Sequence, residues 1–410
     1  MPSRTPTQAA WVVLKFGGTS VSSRSNWDNI ARILRERQAE GLRVVVVHSA
    51  ISGTTDALTG LLKHALANEH ASELARIEER HRALAAALEI ALPAGFGVQL
   101  AELAKLADGI ALLSEVSDPV QARVLATGEL MATALGAEFL NSQGIIVTLL
   151  DARTLLQAVP ARGGRASILS ATCNFDADPD FTASMARHPG VILTQGFIAR
   201  GEDGQTVLLG RGGSDTSAAY FASRLQAARL EIWTDVPGMF SANPRAVPGA
   251  RLLKSLDYDE AQEIATNGAK VLHPRCILPA RVHRIPIHLH ATQSPGLPGT
   301  VIGVQTGTAG ARLKAIALRK GITLVSMDTP GMWQQVGFLA DAFQVFKQHG
   351  ISVDLISSSE TNVTVSLDPQ ANALDAGAVA ALAEDLDRLC RVRVIGPCAS
   401  LSLLGRDIRA

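Results

Sequence analysis

The sequence predicts an α/β protein with a three-layer α/β/α arrangement around a mostly parallel sheet, followed by a small ferredoxin-like sandwich. Three observations predict this. β-Branched runs at 12–16 and 42–48 flank a helical segment near 27–39, a βαβ unit that favours parallel strands covered by helices. Glycine is abundant at 35 residues and aromatics make up only 4%, which suits an α/β chain with many tight turns. Beyond residue 313 the rhythm shortens to βαββαβ.

The bulk numbers narrow the function classes. The 410 residues suffice for two or three domains, and 47% hydrophobic against 19% charged residues implies a large core. With 38 basic and 38 acidic residues the formal charge is zero, so neither a nucleic-acid surface nor a membrane surface is expected. Cys173, Cys276, Cys390 and Cys398 form no CxxC pair and no metal spacing, as in a reduced, cytoplasmic protein. Residues 1–10 read as a tail without a signal-peptide core, and no apolar run is long enough to span a membrane.

The stretch VVLKFGGTSV, residues 12–21, is read as a buried strand carrying Lys15 to the paired glycines Gly17 and Gly18. Amides at such a turn can face a phosphate because no Cβ blocks the approach. The lysine precedes the glycines, so this is not the Walker A order. On spacing alone it is either an anion cradle or a tight turn with an exposed lysine. The second strand ends at His48 and runs into SAISGTTD, small and hydroxyl residues at a strand's carboxyl end, where open sheets bind ligands.

Residues 56–115 read as a helical insertion or oligomer surface, and His64, His70 and His81 within it as surface residues. The segment 122–141 is strongly helical, and Glu129 among its small and apolar neighbours should be exposed or paired. A strand at 145–149 ends near Asp151, and 157–189 gives no clear pattern.

Residues 191–229 hold a strand, a second glycine turn and a helix that Ser214 or Asp215 could cap. Arg211, set between Gly210 and Gly212, could clamp a carboxylate through two parallel hydrogen bonds. A further strand leads to Thr234 and Asp235, and 258–284 reads as two short helices around a loop carrying Lys270. Strands at 285–289 and 300–303 close a first domain over 11–305. The ferredoxin-like region then spans 313–397, and 398–410 starts a strand that either completes that sheet or opens a second, incomplete unit.

Lysine and arginine at strand-end glycine turns, with Glu129, Asp215 and Asp235 nearby, are ingredients of phosphoryl transfer. The arginine suggests an acceptor bearing a carboxylate. No dinucleotide fingerprint, nucleophile elbow or protein-kinase signature is present.

The motifs KFGGTSV at 15–21, the 49–56 loop, GELM at 128–131, TQGF at 194–197, GRGGSDTSA at 210–218, WTDVPG at 233–238 and GAKVLHP at 268–274 together resemble aspartate kinases of the amino-acid kinase family. The remainder resembles their ACT regulatory region. The resemblance implies phosphorylation of the β-carboxylate of L-aspartate by ATP, with magnesium brought by the nucleotide and no metal site built from protein ligands. It implies that Lys15 stabilises the phosphoryl group, while Gly17, Gly18, Ser49 and Thr55 line its passage. Arg211 would bind an aspartate carboxylate beside Glu129, Ser214 and Asp215. Thr234, Asp235, Phe240, Arg245 and Lys270 would hold the nucleotide. Phe240, Asn243 and His48 depart from the usual tyrosine, acidic and apolar residues at their positions.

The ACT resemblance implies an effector site with Met332, Ser352, Val353, Asp354, Ser358, Ser359 and Glu360. Lysine is the expected effector, threonine the alternative, across a homodimer. Asp354 and Glu360 could equally be solvated strand-end charges. The chain's end inside a second ACT unit fits a shortened enzyme, an excised segment, or the front of a fusion such as one with diaminopimelate decarboxylase. Two other functions stay open: a sibling kinase acting on acetylglutamate, carbamate or a nucleoside monophosphate, and an amino-acid-binding regulator with an inactive kinase domain.

Overall fold

The computed structural model describes residues 9–160, 164–268, 271–304, 312–329, 336–369, 372, 374–406 and 408. Internal contacts divide the described chain into one unit that runs up to Arg312 and takes in Arg406, and a second over Leu313–Gly405.

In the first unit the strands are β1 (Trp11–Phe16), β2 (Arg43–His48), β3 (Val147–Leu150), β4 (Val191–Gln195), β5 (Ile198–Arg200), β6 (Thr206–Leu208), β7 (Arg229–Thr234), β8 (Ser255–Leu256), β9 (Ile287–Ala291) and β10 (Thr300–Ile302). Eight of them form a sheet in the order β3-β4-β2-β1-β7-β9-β10-β8, while β5 and β6 make a separate hairpin. All pairs from β3 to β9 are parallel, and only β10 runs antiparallel to β9. Short β-branched strands buried on both faces are what a parallel sheet covered by helices requires.

The first helices are α1 (Arg24–Ala39), α2 (Thr54–Leu66), α3 (Ala71–Leu88), α4 (Ala94–Leu113) and α5 (Asp118–Ser142), of which α1, α3 and α5 pack on one face of the sheet. Alternation along β1 sends Val12, Leu14 and Phe16 into a core with Trp27 and Leu34 of α1, Leu88 of α3 and Phe139 of α5. The expected helical insertion forms a second core, in which Leu58, Ile77, Phe96, Leu103 and Met131 meet. His81 corrects one expectation. It is buried, 5.6 Å from the Phe96 ring, and bonded through Nδ1 to the Ile77 carbonyl, because it falls on the one face of α3 that also buries Ile77, Leu84 and Leu88. His70 is half-buried against Asp108 at 3.0 Å, and only His64 is exposed.

Short helices α6 (Ala152–Leu155), α7 (Arg165–Leu169) and α8 (Pro179–Ala186) precede α9 (Gly213–Arg224), which packs against β1; α10 (Tyr258–Thr266) and α11 (Ile277–Val282) follow. Asp257 and Glu260 close α10 with a full capping box. The four cysteines are free thiols. Among the described residues no helix is long and apolar enough to cross a membrane.

The second unit contains β11 (Arg312–Asp328), α12 (Phe338–Gln348), β12 (Leu355–Ser358), β13 (Asn362–Leu367), α13 (Ala376–Asp387) and β14 (Arg391–Arg406). Its sheet order, β12-β13-β11-β14, is that of a ferredoxin-like sandwich. Met327, Phe338, Phe346, Val365, Leu382 and Leu386 make its core. Residues 398–406 continue β14 without a break.

Candidate active site

Parallel pairing brings the carboxyl ends of β1, β2, β4 and β7 to one edge of the sheet. The backbone stitches these ends together. Gly17 N–H donates to the Trp233 carbonyl at 3.2 Å, Ser49 N–H to Phe16 at 3.1 Å, and Gly196 N–H to His48 at 3.1 Å. Lys15, Gly17, Ser49 and Thr234 therefore share one rim although they come from distant parts of the chain.

Lys15 faces the side of the sheet opposite to Phe16 and meets α9. Its Nζ lies 2.6 Å from Asp215 Oδ1, with both side chains nearly buried. The other carboxylate oxygen, Oδ2, accepts the His273 N–H at 3.2 Å. The glycines explain themselves sterically. A Cβ on Gly17 would stand 3.3 Å from Lys15 Nζ, and one on Gly18 would stand 2.9 Å from the Ala50 carbonyl. The exposed-lysine reading of this turn is thus replaced by a buried ammonium held at a glycine rim.

Glu129 corrects its expectation. It is buried in α5, with no cation within salt-bridge distance among the described residues, and its Oε2 lacks a hydrogen-bond partner. Burial pushes its carboxyl up to about 8, against which backbone hydrogen bonding at Ala50 pulls weakly. The preceding Gly128 lies close to Ala50 and Thr54, so Glu129 belongs to the corner lined by the 49–55 loop. In that loop Ser49 is half-buried, whereas Thr55 is exposed in the first turn of α2. His48 fills its strand end by packing edge-on to Trp27 at 5.6 Å. Burial lowers its imidazole to about 4, so it stays neutral there.

The second glycine turn differs from expectation in one respect. Gly212, not Ser214 or Asp215, occupies the N-cap of α9, with φ at +66° and no side-chain cap. Ser214 and Asp215 lie within the first helical turn, where amides have no intrahelical acceptor. Ser214 is buried under Gly196, whose Cβ would approach its side chain to 2.5 Å. Between them Phe197 adopts a left-handed backbone, φ +68°, held by the Ser217 hydroxyl at 2.9 Å and by Leu209 at 2.8 Å. Arg211 is exposed and makes no ion pair among the described residues. A Cβ on Gly212 would collide with the His273 ring. Gly212→Ala is expected to cost about 1–2 kcal/mol, read as a lower urea midpoint.

Toward the expected nucleotide side, Thr234 Oγ1 donates to Asp235 Oδ1 at 3.0 Å beyond the end of β7. Phe240 is half-buried and bridges to Leu252, and Arg245 is exposed in a turn whose N–H binds Asn243 Oδ1 at 3.0 Å. Neither Phe240 nor Arg245 touches the Lys15–Asp215 pair. Lys270 lies outside the described residues. Two contributors escaped the sequence reading, the His273 amide and the Gly196 rim. Both sit inside motifs already noticed, GAKVLHP and TQGF, but backbone donors leave no side-chain signal.

In the second unit, Asp354 lies 4.0 Å from Arg319, which pairs more closely with Asp368 at 3.1 Å. Burial, with Asp368 nearby, outweighs Arg319 and raises the Asp354 carboxyl. Asp354 is thus not a freely solvated charge, whereas Glu360 is exposed. Ser352 is clasped by Asn372, whose Oδ1 accepts the Ser352 N–H at 2.6 Å. Val353 is half-buried, Ser358 and Ser359 are exposed, and Met332 lies outside the described residues.

Comparison with known proteins agrees with this geometry. The family model for the amino acid kinase family matches residues 10–290. Lysine-sensitive aspartokinase 3 of Escherichia coli (strain K12) is 33% identical over 404 residues, covering 97% of this chain and 87% of the relative. E. coli aspartokinase III in complex with aspartate and ADP (R-state) superposes with a TM-score of 0.82 at 32% identity, over 97% of this chain and 88% of that one. The lysine and aspartate complex (T-state) gives 0.74 at 33% identity, over 97% and 87%. The chain belongs to the aspartate kinase branch of the amino acid kinase family.

Proposed function

We propose that the strand-end rim carries out the aspartate kinase reaction with the residues placed as follows. A β-carboxylate oxygen of L-aspartate attacks the γ-phosphorus of ATP, the bond to the β,γ-bridging oxygen breaks, and 4-phospho-L-aspartate and ADP result. The acceptor is ionised at neutral pH, so no protein base is needed. Lys15 stabilises the charge on the group in flight, and the Gly17 and Gly18 turn lets the phosphate approach the backbone. Ser49 and Thr55 line the acceptor side. Arg211 grips the α-carboxylate, and Glu129 and Asp215, with Ser214 beside them, face the substrate ammonium. Thr234, Asp235, Phe240, Arg245 and Lys270 hold the nucleotide.

The observation that carries the reading is the 2.6 Å Lys15–Asp215 pair, which joins the first glycine turn to the second. Among the described residues no three His, Cys, Asp or Glu side chains converge in metal-binding geometry. Magnesium would arrive on the ATP phosphates, where it would neutralise phosphate charge. The E. coli complexes with aspartate and ADP, and with lysine and aspartate, support the substrate and effector classes. The cytoplasm is the proposed compartment.

The direct test is hydroxylamine trapping of the acyl phosphate with L-aspartate, beside acetylglutamate, carbamate and nucleoside monophosphates. Trapping with aspartate alone is expected. Turnover of another acceptor in its place would move the chain to a sibling kinase, and no turnover at all would favour a binding regulator.

Lysine is the proposed feedback effector, held near Ser352, Val353, Asp354, Ser359 and Glu360, with Met332 and Ser358, in a homodimer of the second unit. The exposed edge strand β12, with Leu355 and Ile356 outward, supports pairing of two copies. Activity is expected to fall with millimolar lysine, and Asp354→Asn to shift the curve to higher lysine. A flat titration would remove the effector site.

A further inference from the structure

We infer that Arg275 is a positioning residue that aims the Arg211 clamp by bracing the glycine turn beneath it. The inference rests on the reading that Arg211 binds an aspartate carboxylate.

The turn Gly210-Arg211-Gly212 has no stiffness of its own. Gly210 and Gly212 both take left-handed conformations, φ +73° and +66°, and a glycine backbone is the least restrained there is. The hydrogen bond from Gly213 N–H to Gly210 at 2.9 Å closes the turn but does not fix it to the rest of the site. The anchor comes from the segment 273–275. Arg275 Nη1 donates to the Leu209 carbonyl at 2.6 Å, immediately before the turn, and contacts Ser170 Oγ at 3.2 Å. Nη2 of the same group donates to the Ala171 carbonyl at 3.0 Å. One planar guanidinium thus ties two separate backbone segments, a task for which a lysine ammonium lacks the fork.

The other side of the turn is held by the same segment. The His273 ring occupies the space over Gly212, and the His273 backbone N–H reaches Asp215. A Cβ at Gly210 would meet Ser170 and stand 3.3 Å from Arg275 Nη1, so the brace closes directly on the turn. Arg211, exposed between these two grips, takes its direction from them.

A brace acting through Arg211 makes a prediction that general stabilisation does not. In the full chain, steady-state constants are measured for Arg275→Lys, Arg211→Ala and the double variant. Losing charge-assisted bonds to the carbonyls is expected to raise the aspartate KM about tenfold, leaving the ATP KM nearly unchanged. On the Arg211→Ala background the same change should alter the aspartate KM by less than about twofold, since coupled residues are non-additive. Equal effects on both backgrounds, or equal rises in both KM values, would overturn the inference. An Arg211→Ala variant with unchanged aspartate KM would instead overturn the clamp reading and the inference with it. Should Arg275→Lys not fold, Ser170→Ala removes one partner of the same guanidinium. A rise of about threefold in aspartate KM, absent without Arg211, is then expected. An unchanged KM overturns the brace.

Discussion

Replacing Lys15 with methionine is expected to lower turnover of L-aspartate and ATP by about two or more decades, because in the proposed site a preorganised cation at the transferred phosphoryl group acts mainly on the transition state. The side chain projects away from the core containing Val12, Leu14 and Phe16, so the strand itself keeps its packing. The substitution has a second consequence. Asp215, nearly buried, loses its cation and keeps only the His273 amide, and breaking a buried pair from one side costs about 3 kcal/mol. Loss of activity in this variant alone could therefore reflect a loosened site. The double variant Lys15→Met/Asp215→Asn separates the two. Removing both charges is expected to recover most of the urea midpoint while turnover stays low. Near-normal turnover in either variant would reduce Lys15 to a structural role.

Much of this site was legible in the residues themselves. Period-two alternation in VVLKF already separates Lys15 from Phe16, and the paired glycines mark where the backbone must be approached closely. What could not be read is what depends on long-range pairing. β1 lies between β2 and β7, which is over two hundred residues away in sequence, and that register decides that Gly17 meets the Trp233 carbonyl. The misplacement of Ser214 and Asp215 as caps has a local cause: Gly212 can take the left-handed N-cap conformation without a side chain. Arg275 was invisible for another reason. Its acceptors are the carbonyls of Leu209 and Ala171, and main-chain groups carry no mark in a sequence. Glu129 and His81 were misread for different reasons. α5 is buried along most of its length, so it has no polar face by which to judge where the Glu129 charge points. His81 falls on the stripe of α3 that also buries Ile77, Leu84 and Leu88, at helical spacing.

Glu129 is where function and stability pull in opposite directions, and pH exposes both. Its carboxyl, normally near 4.5, is raised to about 8, so at neutral pH the ligand-free protein holds it largely protonated. In the proposed site a substrate ammonium against it would favour the ionised form, so aspartate binding is expected to expel a proton. The aspartate KM is expected to fall as pH rises from about 6 toward about 8, by up to about tenfold per unit, and then to level off. The stability sign is the reverse. Between about 4.5 and about 8 the folded protein binds this proton and the unfolded chain does not, so stability is full below that window and falls as pH rises through it. Glu129→Gln removes the ionisable group and keeps the shape. It is expected to raise the midpoint of unfolding at pH 8 and to weaken aspartate binding by about tenfold or more. It should also flatten the pH dependence of KM. A wild-type KM that does not change across the window would separate Glu129 from the substrate ammonium. A variant no more stable at pH 8 than the parent would show that the carboxyl ionises in the folded protein at its ordinary pH, without the burial penalty that makes it a proton-coupled binding group.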